Sequence, residues 1–339
     1  MSLKSFYSKT RTLLSGDYRE IERNIIAMRN RKVIRKYSGK KEIYCVLRIF
    51  TDEGGLLCLL LKVVGGVQYA ISHGMIPVVD MQTKYNIFQT KKERKKLNTW
   101  ELYFNQPAKI SYDEVKDLPN KVIIENPNGP TMGIYNNDNE NAKKYWQELV
   151  KRYITINEKM VSVVSSYQND IIKDSKVLGI LMRGTDYNKK TAIDHPIQPS
   201  VDQVIKDAYD VISKYGYDKI FLATEDQKIF NAIIAEFGDM VCSIPQKRFD
   251  EEITDKLGHR KDYATFAKEM NESYLASLLT LSKCQGFIGG FTGGTFGVWA
   301  FSDGFEYFHV YNLGSYGMSD EDTCDFDRMD KWDKELGIR

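Results

Sequence analysis

The amino-acid sequence predicts an α/β protein: two domains, each a mostly parallel sheet covered by helices. Three observations carry this. At 339 residues the chain is longer than one ordinary core organises. Short apolar runs suited to buried strands alternate with runs of helical period. Glycines stand at strand-to-helix junctions, where the backbone must bend tightly or approach a ligand. The expected division is 1–165 for an N-terminal domain, 174–318 for a C-terminal one, and 319–339 for an acidic tail.

In order, the first 41 residues carry 12 Lys+Arg against Asp17, Glu20 and Glu22. Such a basic amphipathic start either forms a solvated helix face or lies on an anionic membrane surface. EIYCVLRIF (42–50) reads as a buried strand, followed by Gly54-Gly55, a helix from Leu56 to His73, and the strand IPVVDM (76–81). KKERKKLNTWELYF (91–104) mixes charge with Trp100, Tyr103 and Phe104, which read as core. KVIIEN (121–126) is a strand, 126–142 a polar loop, and the sequence through Ile172 helical.

The second half has a clearer rhythm. VLGILM (177–182) is a strand, and 199–215 a helix with Val201, Val204, Ala208, Val211 and Ile212 on one face. KIFLAT (219–224), the helix 226–238 and the short strand MVCSIP (240–245) follow. After a polar stretch come the helix 263–284, the strand GFIGG (286–290), the turn FTGGTFG (291–297) with a short helix, and the strand FEYFHVYNL (305–313).

Composition excludes several classes. The chain is 42% hydrophobic and 28% charged, with a mean hydropathy of −0.43 and a net charge of +2. No run of 18 apolar residues suits a bilayer span, and no apolar signal-peptide core is present, so a cytoplasmic location is expected. Cys45, Cys58, Cys242, Cys284 and Cys324 are scattered and read as free thiols in a reducing compartment. His73, His195, His259 and His309 form no spaced metal set. The acidic tail lacks the glycine and closing Glu of a calcium loop. Dinucleotide, P-loop and nucleophile-elbow patterns are absent. One basic cluster at 91–97 in a nearly neutral chain is no nucleic-acid footprint.

Ligands of open parallel sheets bind beyond the carboxyl ends of the strands. Three such ends carry polar clusters: Arg183-Gly184-Thr185-Asp186, Thr224-Glu225-Asp226, and Thr292-Gly293-Gly294-Thr295. A guanidinium fork, amides freed by glycines at a helix start, and hydroxyls are what a diphosphate requires. Neighbouring carboxylates suit sugar hydroxyls and the N–H edge of a base. A structural ion pair between Arg183 and Asp186 is the plainer alternative.

MRGTDY followed by HPI, then IFLATED, then LSKCQGFIGGFTGGT resemble the three-motif donor domain of GDP-fucose-dependent fucosyltransferases with GT-B architecture. That superfamily has α1,2-, α1,6- and O-fucosyltransferase-like branches. The resemblance covers residues 176–300, and EGGLLCLLLKVVGGVQYAISHGMIPVVD is similar to the Gly-Gly loop and first helix of the α1,2 branch. It implies two Rossmann-like domains with mostly parallel sheets facing a central cleft, and a metal-independent, inverting transfer of fucose from GDP-fucose to a glycan or lipid-linked oligosaccharide. Bacterial surface polysaccharide assembly in the cytoplasm fits that activity. No cofactor beyond the donor and no nucleic-acid partner are expected, with peripheral membrane contact through the basic N-terminus.

Carried over by position, Arg183 clamps the donor β-phosphate and is catalytic together with Asp186. Thr185, Thr224, Glu225 and Asp226 contact the donor, Thr292, Gly293, Gly294 and Thr295 line the pyrophosphate turn, and Gly54 and Gly55 lie near the donor. Acceptor activation falls to Asp186, Asp194, Glu53 or Asp80. Some family positions hold other residues here. The guanine-contacting histidine is Leu181, the second arginine Gly184, and the following lysine Tyr187. The acceptor-activating carboxylate falls on Thr191 and the guanine-binding aspartate on Ser277. These departures leave open a transferase for another nucleotide sugar, or a sugar-nucleotide-binding protein that has lost catalysis.

Overall fold

The computed structural model describes residues 21–51, 55–130, 133–136, 139–172, 174–184, 196–250 and 263–316. Residues 21–37 form helix α1. It is followed by β1 (Tyr44–Arg48), α2 (Leu56–Ser72), β2 (Ile76–Asp80), the short helix α3 (Tyr112–Val115) and β3 (Lys121–Glu125). These strands form a parallel sheet in the order β2-β1-β3. α4 (Glu140–Tyr153) and α5 (Glu158–Ile171) lead to the second half. There, β4 (Val177–Leu181), α6 (Val201–Tyr215), β5 (Lys219–Ala223), α7 (Gln227–Phe237), β6 (Val241–Cys242), α8 (Tyr263–Leu281), β7 (Gly286–Gly290), α9 (Gly293–Phe301) and β8 (Tyr307–Tyr311) follow. Their sheet is parallel throughout, ordered β6-β5-β4-β7-β8.

Side-chain alternation sorts each strand between two layers. Cys45 and Leu47 of β1 enter a core that continues into the second half through Phe287 and Phe296. Val46 points to the opposite face, with Val78, Tyr112 and Val115. In β4, Val177 and Leu181 join the shared core, whereas Leu178 and Ile180 meet Val204 of α6 and Ile233 of α7. Burying one such aliphatic side chain contributes about 1.5–3 kcal/mol, so both faces of both sheets are committed to packing.

The helical sequence expected through Ile172 is two helices. α4 ends at Tyr153, and Asn157 starts α5 by accepting a hydrogen bond from the Met160 amide at 2.9 Å. The boundary expected at residue 165 falls inside α5, whose Gln168 side chain donates to the Leu279 carbonyl of α8. Trp100, Tyr103 and Phe104 are buried, as expected of core residues. Loop 126–130 is pressed onto α2: a Cβ on Gly65 would lie 1.9 Å from the Asn128 carbonyl oxygen, so only glycine permits the approach. No helix among the described residues is long and apolar enough to cross a membrane.

The two halves meet through polar and aromatic contacts. Tyr135 packs between Phe291, Trp299 and Phe308, with ring centroids 5.8–6.2 Å apart. The Lys268 ammonium of α8 lies 2.6 Å from Glu93. Asp303 accepts from Lys151 of α4 at 2.9 Å and from Lys283 at 2.8 Å.

Candidate functional site

The middle strand of the larger sheet sets the site. Leu181 of β4 is level with Ala223 of β5 and with Gly289 of β7. The chain leaving each strand therefore starts from the same stretch of sheet edge, with Arg183 and Gly184, Thr224–Asp226 and Thr292–Thr295 following the three strand ends.

Past β4, an Arg183 guanidinium nitrogen lies 3.2 Å from Glu225 Oε1, the side chains being 24% and 17% exposed. The Gly184 amide donates to the same oxygen at 3.0 Å. Glu225 thus holds both the guanidinium and the backbone behind it. A Cβ on Gly184 would lie 2.2 Å from Asp226 Oδ2, which explains the glycine. Glu225 is one partner of Arg183; Thr185 and Asp186 lie outside the described residues, so the Arg183–Asp186 pairing does too.

Asp226 is buried, and its Oδ1 accepts from the amides of Lys228 and Ile229 at 2.8 and 3.0 Å, capping α7. Thr224 is also buried; its hydroxyl accepts from the Asp226 amide and its carbonyl from Gln246 Nε2 at 2.7 Å. Only Glu225 of this cluster keeps a partly exposed side chain.

The third cluster is a helix start. Thr292 caps α9 by accepting from the Thr295 amide at 3.2 Å. The Thr295 hydroxyl is fully buried and donates to the Gly290 carbonyl. The helix begins at Gly293, inside the expected turn of 291–297, because Thr292 already caps it there. Gly293 and Gly294 occupy the first turn, where amides have no acceptor within the helix and the dipole is positive. Gly293 is half-buried, so an anion can approach.

The first half closes on this edge. Gly55 is the N-cap of α2, the Leu56 amide donates to Asn271 Oδ1 of α8 at 3.4 Å, and Leu57 packs against α9 at Gly297. Gly54, Glu53 and Asp194 lie outside the described residues. Next to the β5 end, a cavity of about 350 Å³ lies between Pro245, Gln246 and Lys247 and the α8 residues Phe266, Glu269 and Ser273. Sequence reasoning missed it, since its walls come from an irregular loop and a long helix.

Sequence reasoning also missed a network on the smaller sheet. Arg48, Asp80 and Glu125 end β1, β2 and β3 at matching positions. Arg48 Nε donates to Asp80 Oδ2 at 2.9 Å, and NH1 lies 3.5 Å from Glu125. Asp80 is fully buried, and its Oδ1 accepts from the Gln82 and Thr83 amides. Burial disfavours the Arg48 charge, and Asp80 over-compensates, leaving its pKa raised. Asp80 is therefore committed to structure and is removed as an acceptor-activating base.

Cys45 and Cys284 are buried free thiols, Cys242 is partly buried and Cys58 exposed; Cys324 lies outside the described residues. Burial pushes the Cys45 thiol up to about 12. Among the described residues, no group of three or more His, Cys, Asp or Glu is placed to hold a metal ion.

No protein-family model and no curated protein sequence matches this chain. Among solved structures it is similar to POFUT1 in complex with GDP, at a TM-score of 0.50 and 9% identity, covering 82% of this chain and 99% of that one. It is also similar to NodZ α-1,6-fucosyltransferase soaked with GDP-fucose, at a TM-score of 0.49 and 14% identity, with 82% and 98% covered. A further match is fucosyltransferase NodZ from Bradyrhizobium, at a TM-score of 0.45 and 14% identity, covering 77% and 93%. At such identities the likeness concerns the fold: two parallel-stranded α/β halves in the GT-B arrangement of fucosyltransferases.

Proposed function

We propose that the protein is an inverting, metal-independent glycosyltransferase that moves fucose from GDP-fucose to a glycan acceptor in surface-polysaccharide assembly. The observation that carries this reading is the partly exposed Arg183 guanidinium, held by Glu225 on the same sheet edge as the Gly293 and Gly294 amides. Breaking the anomeric C–O bond builds negative charge on the departing diphosphate and positive charge on the sugar. A fixed guanidinium and helix-start amides stabilise that diphosphate where its charge develops. They do the work a divalent ion performs in other transferases, which supports a reaction without metal. Thr292 holds the helix start in place, and Thr224 and Asp226 support the Glu225 loop from beneath.

The cavity beside Gln246 suits the nucleobase, with the Glu269 carboxylate able to accept from a base N–H edge and Phe266 offering a ring face. Displacement also needs a carboxylate near the acceptor hydroxyl. Asp186, three residues past Arg183, takes that role, with Asp194 and Glu53 as the other candidates; parallel alanine variants sort them. Glycan or lipid-linked acceptors at the cytoplasmic face of a membrane fit an enzyme of this kind.

A second reading has one observation in its favour. Leu181, which stands where the resembling family has its guanine-contacting histidine, is an apolar side chain buried in the shared core. Another nucleotide sugar, or donor binding without turnover, accords with that. The test is release of GDP from GDP-fucose with EDTA present, acceptor supplied or not. Turnover that survives EDTA and falls at least about a hundredfold in Arg183→Ala supports the proposal. Binding without turnover selects the second reading, and a strict Mg²⁺ or Mn²⁺ requirement excludes the mechanism.

A further inference from the structure

Helix α1 is fastened to the smaller sheet by one side chain. Asn30 is buried; its Nδ2 donates to the Ile123 carbonyl at 2.7 Å, and its Oδ1 accepts from the Ile123 amide at 2.9 Å. Val33, Ile34 and Tyr37 pack against the core from the same side. These contacts fix which face of α1 looks outward. Along that face run Ile21, Ile25 and Met28, 56%, 46% and 53% exposed, at the i, i+4, i+7 spacing of a single stripe.

Cations continue this face over the two turns after Met28. At 3.6 residues per turn, Arg29 and Lys36 fall on one flank, Arg31 and Arg35 on the other, and Lys32 continues its line. All five are exposed. Beside the helix, a groove of about 540 Å³ is walled by Ile25, Ile26, Leu118 and Pro119, with Arg29 and Lys121 at its lining. A solvated helix puts charge at the centre of its outer face and apolar residues beneath. α1 places apolar residues at that centre as well, with cations on the same outer surface in the turns that follow, as a helix lying in a lipid interface does.

We propose that α1 docks this protein on an anionic lipid bilayer. Ile21, Ile25 and Met28 enter the boundary between headgroups and acyl chains, and the flanking guanidinium and ammonium groups reach the phosphates. The inference is independent of the catalytic proposal and of any donor.

The test is flotation of the full chain with vesicles of phosphatidylcholine alone or mixed with phosphatidylglycerol. The protein floats with the mixed vesicles, not with phosphatidylcholine alone, and added salt releases it. Arg31→Gln with Arg35→Gln weakens binding roughly thirtyfold, at about 1 kcal/mol per cation near the surface. Ile25→Ser with Met28→Ser leaves the charge unchanged and still weakens binding roughly tenfold or more. All four positions are exposed, and unchanged thermal unfolding verifies that the variants fold. Equal flotation with both vesicle types, or none with either, overturns the proposal. So does binding indifferent to the Ile25 and Met28 changes, or a matching affinity for a random RNA oligonucleotide, which points to a plain electrostatic surface.

Discussion

The two sheets end their strands with the same chemistry and use it differently. On the smaller sheet, Arg48 is almost enclosed and sits between Asp80 and Glu125, with Asp80 further bound by two amides. On the larger sheet, Arg183 has Glu225 beside it, both side chains are partly exposed, and a helix start with amides free for a ligand stands on the neighbouring strand. A guanidinium at a strand end is thus not a site in itself. Burial and the backbone beside it decide whether it holds the fold or borders a surface open to a ligand.

Substitution at the two arginines breaks this comparison most directly. Arg48→Ala strands Asp80 in the interior and lowers stability by about 3–5 kcal/mol, read by denaturant unfolding. Arg183→Ala leaves the unfolding midpoint close to wild type and removes transfer. Reversed outcomes would mean that the roles of the two sheets have been exchanged. A smaller effect comes from Asp226→Ala, which removes the α7 cap and costs about 1 kcal/mol while donor affinity stays within a few fold. A loss of affinity far beyond that instead makes Asp226 a ligand contact.

The smallest effect concerns how the halves are held together. Hydrogen bonding from Lys268 lowers the Glu93 carboxyl to about 2, and Lys283 with Lys151 lowers Asp303 to about 2. Both values lie below those of free carboxylates, so the unfolded chain binds more protons in acid. The stability these groups provide is present above about pH 4.5 and is lost as pH falls towards 2. Lys268→Met removes the Glu93 share, and acid unfolding followed by fluorescence should show a shallower decline than wild type.

Much of the fold was readable because buried parallel strands are continuous apolar runs bounded by turns: GFIGG matches β7 residue for residue. Helix starts were less readable. The glycine run at 291–297 looks like a turn, but the Thr292 cap makes most of it helix. At the site, residue type placed all three clusters on one edge, yet could not say whose lone pairs were already taken. Asp226 and Thr295 resemble ligand contacts in sequence and are buried against backbone groups in space. The Arg48 network left a usable signal. VLR, VVD and IIE each end an apolar run on a charge, and parallel register brings three such ends together.

On the proposed reading, the Arg183 edge binds the diphosphate of a guanine nucleotide sugar. Thermal unfolding with GDP, GDP-fucose, UDP and NAD, on wild type and Arg183→Ala, tests it most directly. A ligand at a hundred times its Kd adds about 2.7 kcal/mol of stability. The account predicts stabilisation by GDP and GDP-fucose alone, and its loss in Arg183→Ala. Stabilisation by none of the four, or by GDP equally in both proteins, would contradict it.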